Sequence, residues 1–596
     1  MTYSVRETIL MSSESLIQPI AHNETEVFAV HGADPEILAF AMAKYSRSAL
    51  SMRESLGEIS SQRAEQFLKT FYFQYGHRSI ADLAHIALAI ERLSLLAAII
   101  LVDESRWDGQ ERSTRYQNFL KSGWYVPDFG DDKTSAELYS QTVLNLFKAY
   151  QHITAAVLDL LRRSVAKPES LQPESYERAL RARAFDVARY LLPLATNTSL
   201  GQIVSARTLE GQVSRLLSHP AAEVRQLGVK LRAAATNPAW NLNADAARAM
   251  VKKIAALEEQ NRARSESDRL ALGINPYTNQ PDEEWAGRTI PEFGASSTRS
   301  AARPEGPGEE SVSVEGSLAA EAAALFTRDV RTAPTLVKYA QPSDYLIQSR
   351  ADLAQAAQEL LGKIASGPAK LVDLVERTES LEVEVAATLL YSASRHPYRA
   401  IRDRVASWPA ARVAEIVDLG LRHRGKHDEA LRAFHAGAEL RFDILMDVGG
   451  FRDMHRHRRC TQIIQEFTSA HGYERPGPGD LPLGADILAE AGVLAEYESA
   501  IESAHKAAAR IAAGSAPEAA QSAAYLFPLA TRIRALFKMD FAEAQYIAEL
   551  RSSPAGHFSY RRVAWEMFLA LRDRYPALAR HIRVTDFTKP IDIFQR

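Results

Sequence analysis

A segment rich in arginine and histidine, RDMHRHRRCTQ at 452–462, carries the residue types that most clearly suggest chemistry. Its basic residues are Arg452, His455, Arg456, His457, Arg458 and Arg459. Guanidinium groups match phosphate oxygens in pairs, so this segment is a candidate anion site. A solvated cationic turn has the same composition and is the alternative interpretation. A divalent metal is disfavoured, because the arginines create a positive field around the histidines.

Three clusters in the first half of the chain also carry polar groups at short spacing. In chain order they are His77, Ser79 and Asp82 in YGHRSIAD; Gln110, Glu111, Ser113, Arg115 and Tyr116 in DGQERSTRY; and Arg189, Arg207 and Arg215 within 186–215. Ser113 and Arg115 are two positions apart, so on an extended segment they point to one side and can bind one anion. Each cluster taken alone is better explained by a satisfied polar turn or by a surface helix arginine.

Length and composition restrict the class of protein. The chain has 596 residues, which predicts two or more domains, and its 46% apolar and 24% charged residues are ordinary for a soluble protein. A net charge of −3 gives no reason to expect a nucleic-acid polymer or a membrane surface as partner. The single cysteine, Cys460, excludes an internal disulfide framework. With no recognisable signal peptide, we expect a cytoplasmic protein.

Most segments show helical spacing of apolar residues, so the predicted fold class is α+β and predominantly helical. Helices are predicted at 35–56, 60–76, 80–102, 136–164, 175–192, 221–236, 350–363, 382–394, 410–422, 428–447, 485–513 and 540–550. The apolar run at 84–102 contains Glu91 and Arg92 near its middle, which predicts a buried helix and not a membrane span. Short β-rich segments are TEVFAVHG at 25–32 and, as a second candidate, SLEVEVAATLLY at 380–391.

The composition changes near the middle of the chain, where Pro, Gly, Ser and Glu accumulate. Such a stretch cannot bury enough apolar surface to offset its ordering entropy. The sequence therefore predicts an N-terminal domain at 1–257, a flexible linker at 258–325 and a C-terminal domain at 326–596.

The two halves repeat each other. YLLPLATNTS at 190–199 returns as YLFPLATRIR at 525–534, and RLLSHPAAEVR from Arg215 returns as RSSPAGHFSYR from Arg551. Several short matches in the same order indicate an internal duplication.

Together, the motifs resemble the flavin-dependent thymidylate synthases, the ThyX family. That family carries G-H-x-[ST]-x-x-E, an apolar helix leading to R-H-R-x-x-S-x-x-E-x-S-x-R-Y, and A-R-x-x-L-P downstream. This chain has GHRSIAD at 76–82, then Glu111, Ser113, Arg115 and Tyr116 at the family's spacing, and ARYLLP at 188–193. The resemblance covers about 30–235 and, more faintly, about 380–570.

Each half lacks motif residues that the other half retains. In the first half, Asp103, Glu104 and Ser105 occupy the positions of R-H-R. In the second half, Arg456, His457 and Arg458 match R-H-R, but Glu466, Thr468 and Ser469 replace the serine, arginine and tyrosine of S-x-R-Y, and Ala524 stands where the first half has Arg189.

The resemblance implies a role for each matched residue. FAD would be bound by His77, Ser79, Asp82, Arg207, Arg456, His457 and Arg458. The substrate dUMP would be bound by Gln110, Glu111, Ser113, Arg115 and Arg189. Arg215 would be the catalytic residue that polarises the uracil. Family sites lie between subunits of a homotetramer, so a fused pair of specialised halves would form a homodimer that imitates the tetramer.

The implied reaction is the reductive methylation of dUMP to dTMP, with NADPH and methylenetetrahydrofolate as co-substrates. No enzyme nucleophile is required in this scheme, so Ser113 is assigned to binding. One alternative is a degenerate paralogue that binds flavin or nucleotide without turnover, which the split motifs favour. A second alternative, an all-helical interaction protein without a ligand, is disfavoured by the coordinated motifs.

Overall fold

The computed structural model describes residues 34–44, 80–271, 317–361, 370–476 and 486–594, apart from residues 242, 328, 377, 426, 427, 429, 517, 581 and 591. The predicted strand at 25–32, the predicted helix at 60–76 and the candidate flavin ligands His77 and Ser79 lie outside these residues.

The described part of the first half is built around a three-stranded antiparallel sheet. Its elements are α1 (Pro35–Lys44), β1 (His85–Ser94), α2 (Leu95–Leu101), β2 (Asp108–Glu111), α3 (Lys133–Ser164), α4 (Pro173–Ala188), a 3-10 turn (Arg189–Leu191), β3 (Asn197–Ser205), α5 (Ala206–Leu217) and α6 (Ala222–Thr236). The strand order is β1-β3-β2. Two further helices, α7 (Ala244–Ala271) and α8 (Leu318–Phe326), follow.

The second half repeats this order, and several described helices precede it. Its elements are α9 (Asp344–Leu361), β4 (Val372–Leu374), α10 (Leu381–Ser392), α11 (Tyr398–Ala406), α12 (Ala410–Leu421), β5 (Leu440–Asp447), α13 (Val448–Met454), β6 (Thr461–Ile464), α14 (Ile487–Glu490), α15 (Leu494–Ala512), α16 (Ala519–Ala524), β7 (Arg532–Met539), α17 (Phe541–Ser552), α18 (Phe558–Arg574) and α19 (Pro576–Ala579). The strand order is β4-β5-β7-β6, so β7 has the place that β3 has in the first half.

Two predicted helices are wrong because sheet pairing overrides local helical propensity. In 84–102, residues His85–Ser94 form β1, which pairs with β3, and only Leu95–Leu101 are helical. In 428–447, residues Leu440–Asp447 form β5, whose side chains are all buried, so its sequence shows no alternation of period two. Composition alone cannot separate such a strand from a buried helix.

The candidate strand at 380–391 is also wrong. Residues Leu381–Ser392 form α10, and the side chain of Ser380 caps this helix by accepting a hydrogen bond from the backbone of Val383. Helices α10, α11 and α12 pack over one face of the second-half sheet and bury Val385, Leu389 and Ile401. The helices predicted at 136–164 and 221–236 are confirmed as α3 and α6.

Both ends of the predicted linker are helical. Helix α7 extends to Ala271, and α8 begins at Leu318. The carboxylate of Glu258 accepts hydrogen bonds from the backbone N–H groups of Leu318 and Ala319, at 2.6 and 3.3 Å, so α7 caps α8. Residues 272–316 lie outside the described part of the chain.

The halves are joined around a pseudo-two-fold axis. Pro193 lies opposite Pro528 in an antiparallel bridge, and the two prolines are 335 positions apart in the repeat. The backbone N–H of Leu194 donates to the carbonyl of Phe527 at 3.0 Å, and symmetrically that of Leu529 donates to the carbonyl of Leu192 at 3.0 Å. Apolar residues of α3, α4 and α15 share one hydrophobic core with β5 and β7, so the two halves pack against each other and do not form separate domains with independent cores.

Candidate anion site at the junction of the halves

Arg115 is buried at the junction and binds groups from both halves. It lies beyond β2, where the chain leaves the sheet, and is 6% exposed. Its Nε and Nη2 donate to the two carboxylate oxygens of Asp186, at 2.7 and 3.1 Å. From the second half, the hydroxyl of Tyr560 accepts from Nη1 at 3.0 Å and the carbonyl of Ala555 accepts from Nη2 at 3.1 Å. Most of the donors of Arg115 are therefore already used.

Asp186 keeps its negative charge in this setting. Burial alone would raise the pKa of its carboxyl, but the ion pair with Arg115 and the nearby Arg183 guanidinium hold that pKa well below its usual value. Arg183 Nη1 lies 3.5 Å from the carboxylate. The ion pair of Arg115 and Asp186 is therefore a charged centre on the first-half side of the junction.

Arg189 reaches across the junction and is incompletely bonded. Its guanidinium is 2% exposed, and Nη1 lies 3.4 Å from Oδ2 of Asp453 in the second half. Its Nε and Nη2 are buried and find no hydrogen-bond partner among the described residues. Buried donors are normally paired, so two free ones on one arginine are consistent with a ligand or water at this position.

Four arginines surround Asp453, two from each half. Burial would raise the pKa of this carboxyl, and the charges of Arg189, Arg456, Arg115 and Arg551 bring it below its usual value. We call these four arginines, with Asp453, Asp186 and Tyr560, the junction site. Four guanidinium groups outnumber its two carboxylates, so the site has a net positive charge and suits an anionic ligand.

The three side chains of the R-H-R segment, which are predicted to bind FAD together, lie in different places. Arg456 is exposed, and its side chain makes no ion pair or hydrogen bond within the described residues. The guanidinium of Arg458 lies over the ring of Trp107, 5.1 Å from its centroid, and burial lowers its pKa to about 10. His457 is 4% exposed. Arg456 is thus the member best placed to bind an added phosphate.

His457 belongs to a buried chain of contacts that ends at Arg551. The Nε of Arg551 donates to Nε2 of His457 at 2.8 Å, and Nδ1 of His457 lies 3.3 Å from Oε1 of Glu543. Both ring nitrogens are therefore occupied within the protein. Binding of FAD by His457 stays a prediction, and in this structure both ring nitrogens face protein groups.

The equivalent arginine of the first half is neutralised. Arg215, predicted to be catalytic, donates from Nε and Nη2 to Oε1 of Glu104, at 2.9 and 2.7 Å. Its Nη groups also donate to the carbonyls of Ile100 and Leu101. Glu104 occupies the position that His457 holds in the second half, so a carboxylate has replaced a neutral acceptor. Arg551 retains its positive charge for a ligand, whereas that of Arg215 is compensated.

The other predicted site residues are distributed over the first-half sheet and its edge. Gln110 is exposed on β2, opposite Gly201 of β3, and Glu111 forms an ion pair with Arg452. The hydroxyl of Ser113 accepts a hydrogen bond from the backbone of Arg115 at 3.3 Å. Asp82 and Arg207, both assigned to flavin, pair with each other at 3.1 Å. Ser113 thereby contacts Arg115 of the junction site. The pairings of Glu111, Asp82 and Arg207 involve residues outside that site.

The pseudo-symmetric position lacks three of the charged residues of the junction site. Ser94 caps α2 and Asp447 caps α13 in the same way, which aligns the two segments. On this alignment Ile100 replaces Asp453 and Thr468 replaces Arg115, and the repeat places Ala524 at the position of Arg189. The junction therefore contains one arginine-rich site among the described residues.

Sequence reasoning missed Arg551, Asp453, Asp186 and Tyr560. The signal for Arg551 was present, because it begins the repeated segment that matches the one beginning at Arg215. The other three lie inside segments that the sequence singled out, but none of them carries a motif role there: Asp453 in 452–462, Asp186 in 186–215 and Tyr560 in 551–561. Their roles arise only where the halves meet.

The fold and the site together define a tandem α+β protein with an arginine-rich anion site between its repeats. The thymidylate synthase complementing protein family matches residues 27–238 and 370–577, more than half of the chain, so the chain belongs to this family. The two matched regions confirm the predicted ThyX resemblance in its tandem form and the predominantly helical α+β fold.

Relatives of similar length align with nearly the whole chain. The UPF0159 protein of Chlamydia muridarum is 26% identical over 97% of this chain and 95% of its own length. The UPF0159 protein Ta1429 of Thermoplasma acidophilum is 22% identical over 91% of this chain and 94% of its own length.

Two solved structures match one third of the chain. One is the flavin-dependent thymidylate synthase ThyX of Helicobacter pylori complexed with FAD and dUMP, with 17% identity, a TM-score of 0.23, and coverage of 34% of this chain and 90% of that chain. The other is the UMP/dUMP methylase PolB of Streptomyces cacaoi bound with 5-Br dUMP, with 18% identity, a TM-score of 0.24, and coverage of 34% and 87%. Within the described residues, no helix is long and apolar enough to cross a membrane.

Proposed function

We propose that this protein is a flavin-dependent thymidylate synthase that methylates dUMP reductively to dTMP. The observation that carries the proposal is the junction site, where Arg115 and Arg189 of the first half lie with Arg456 and Arg551 of the second half around Asp453. The family supplies the reaction class, and a cluster of arginines suits a nucleotide phosphate.

The residues present fit an anionic nucleotide and a flavin diphosphate. Arg189 offers two buried unpaired donor atoms, Nε and Nη2, and Arg456 offers an exposed guanidinium without a partner in the described residues. We assign Arg115 and Arg189 to the dUMP side and Arg456 to the FAD side. When bound, FAD carries hydride supplied by NADPH, and methylenetetrahydrofolate supplies the one-carbon unit.

We assign to Arg551 the polarising role expected of Arg215. Charge that develops on the pyrimidine needs a fixed positive group nearby, and an arginine supplies it without losing a proton. Arg551 contributes only its Nε to His457, so its two Nη groups remain for a ligand. Arg215 is compensated by Glu104 and suits a structural role.

A degenerate paralogue that binds flavin or nucleotide without turnover is the second candidate. It is favoured by Arg115, whose guanidinium is already bonded to Asp186, Tyr560 and Ala555. A ligand phosphate would have to share this arginine or displace one of these groups.

The deciding experiment uses the full chain reconstituted with FAD. Incubation with dUMP, methylenetetrahydrofolate and NADPH should yield dTMP, measured by chromatography, with the omission of NADPH as the control. Binding of dUMP without dTMP formation would support the degenerate paralogue. Growth of a thymidine-requiring host that carries the gene, without added thymidine, tests the same activity in cells.

We also propose that the chain forms a homodimer in the cytoplasm, whose four similar domains imitate the family's tetramer. Light scattering on the FAD-loaded protein gives its mass directly. A monomer would show that the junction within one chain is sufficient for the site.

A further inference from the structure

We propose that Glu543 and His457 are positioning residues that fix the guanidinium of Arg551 for the nucleotide. The inference rests on the proposed function and specifies how one side of the site is organised. Glu543 and His457 are 4% exposed each, and Glu543 and Arg551 lie on the same helix, α17. The imidazole stands between the carboxylate and the guanidinium.

The tautomer of His457 follows from its two neighbours. Arginine stays protonated, so its Nε is a donor and Nε2 of His457 must accept at 2.8 Å. The ring proton then resides on Nδ1, which lies 3.3 Å from Oε1 of Glu543 and donates to it. The order of donors is thus Arg551 to His457 to Glu543, and each hydrogen bond sets the direction of the next.

A neutral imidazole suits this role. Burial lowers the pKa of His457, the carboxylate of Glu543 raises it in part, and Arg551 and Arg458 lower it further. Tyr546 packs edge-on against the ring, with centroids 5.7 Å apart, and the thiol of Cys460 donates to the backbone carbonyl of His457. Burial raises the pKa of that thiol to about 12, so it adds no charge at neutral pH. A neutral acceptor fixes the geometry of Arg551 without cancelling its charge.

The fixed guanidinium is directed at the junction site. Arg551 lies over the ring of Tyr560, 5.5 Å from its centroid, and the hydroxyl of the same tyrosine accepts from Arg115. Arg551 also contributes to the field at Asp453. An anion held by Arg115 and Arg189 would therefore lie within the field of Arg551.

The first half shows the alternative arrangement. There a carboxylate, Glu104, receives both Nε and Nη2 of Arg215 and compensates its charge. At the same position of the repeat, His457 leaves the charge of Arg551 uncompensated, whereas Glu104 compensates that of Arg215. Only the second-half version leaves a cation for a ligand.

Three variants of the FAD-loaded full chain test the proposal. His457→Phe removes the acceptor and should weaken dUMP binding by about tenfold or more, with flavin content unchanged. His457→Gln can accept from Arg551 and donate to Glu543, so its dUMP affinity should stay within about threefold of wild type. Glu104→Gln, in the equivalent pair of the first half, is the matched control and should leave dUMP affinity unchanged.

A pH series supplies a readout that a merely structural role would not change. Protonation of His457 removes the acceptor of Arg551, so the wild-type protein should lose dUMP affinity in acid. His457→Gln cannot lose its acceptor in this way, so its affinity should fall less steeply. The protonation of dUMP itself affects both proteins equally and cancels in the comparison. Glu543→Gln removes the charge that stabilises the imidazolium, so it should shift this extra acid loss to lower pH.

The outcomes separate this proposal from the proposed function. Unchanged dUMP affinity in His457→Phe, or identical acid profiles of wild type and His457→Gln, would overturn the positioning role. Loss of flavin from His457→Phe would return the residue to cofactor binding and also overturn it. If the wild type binds dUMP with the expected His457 dependence but forms no dTMP, the positioning role stands and the synthase assignment fails.

Discussion

Arg189 of the first half and Asp453 of the second half face each other across the junction, with Nη1 and Oδ2 3.4 Å apart. The arginine is 2% exposed and retains two buried donors without a partner in the described residues. Motif residues that are separated in the sequence therefore meet within one chain. The split of the ThyX motifs between two halves is compatible with one complete site.

Arg551→Lys should lower the rate of dTMP formation by roughly a hundredfold or more, because the single nitrogen of an ammonium cannot bond to His457 and also place donors where the two Nη groups of the planar guanidinium lie. Steady-state kinetics on the reconstituted protein measure the effect. The same substitution in the first half, Arg215→Lys, is the matched comparison, and it should lower the rate of dTMP formation less than Arg551→Lys does. If Arg215→Lys is the more damaging change, the polarising role belongs to the first half.

Arg456→Ala should weaken FAD binding by about tenfold or more, since one charge-assisted phosphate contact contributes about 1.5–3 kcal/mol. Arg459→Ala is the matched control, because Arg459 is also exposed but pairs with Asp540 at 3.3 Å. Flavin fluorescence during titration gives both affinities. Equal retention of FAD by the two variants would remove Arg456 from the cofactor site.

Arg115→Ala should lower the free energy of unfolding by about 3 kcal/mol, because it removes the bidentate partner of the buried Asp186 and leaves only Arg183, 3.5 Å away, beside that carboxylate. Urea denaturation followed by circular dichroism measures this change. The double variant Arg115→Leu with Asp186→Leu removes both charges and should recover much of the stability. If that folded double variant still binds dUMP with wild-type affinity, Arg115 has no part in nucleotide binding.

Asp447 should make the stability depend on pH in a direction opposite to that of an ion-paired carboxylate. Burial, with a contribution from Glu474, raises the pKa of its carboxyl from 3.8 to about 6. The folded state therefore binds this proton more tightly than the unfolded state. The free energy of unfolding should fall by on the order of 3 kcal/mol as pH rises from about 4 to about 6.

Asp447→Asn tests this prediction, because the amide can still accept from the backbone of Gly450 and can donate to Ser559. The difference in unfolding free energy between wild type and variant should grow in favour of the variant up to about pH 6 and then level off. Parallel stability curves would show that Asp447 does not titrate in this range.

One FAD and one dUMP should bind per chain. The pseudo-symmetric position carries Thr468, Ala524 and Ile100 in place of Arg115, Arg189 and Asp453. Absorbance after denaturation counts flavin released from protein loaded with excess FAD, and calorimetry counts dUMP. A ratio near two would show that the second position also binds ligand.

The sequence by itself determined the family, the duplication and the identity of most of the arginines at the site. Ordered motifs such as ARYLLP at 188–193, and the PLAT segments repeated at 193–196 and 528–531, can be recognised from the sequence alone, because their spacing is fixed by the elements that carry them. The predominance of helix also followed from apolar spacing. Helices at 136–164 and 221–236 needed no tertiary information, since each has one apolar face.

The tertiary structure alone decided which arginines can serve a ligand. Arg215 and Arg551 look alike in the repeat, but one meets a carboxylate and the other a neutral imidazole, and the charge left for a ligand depends on that partner. Likewise, the sequences of β1 and β5 predict helices, but both segments are strands because they pair with β3 and β7. Backbone hydrogen bonds between distant strands outweigh local propensity. Charge compensation and strand pairing are both contacts between residues far apart in sequence, and no local pattern encodes them.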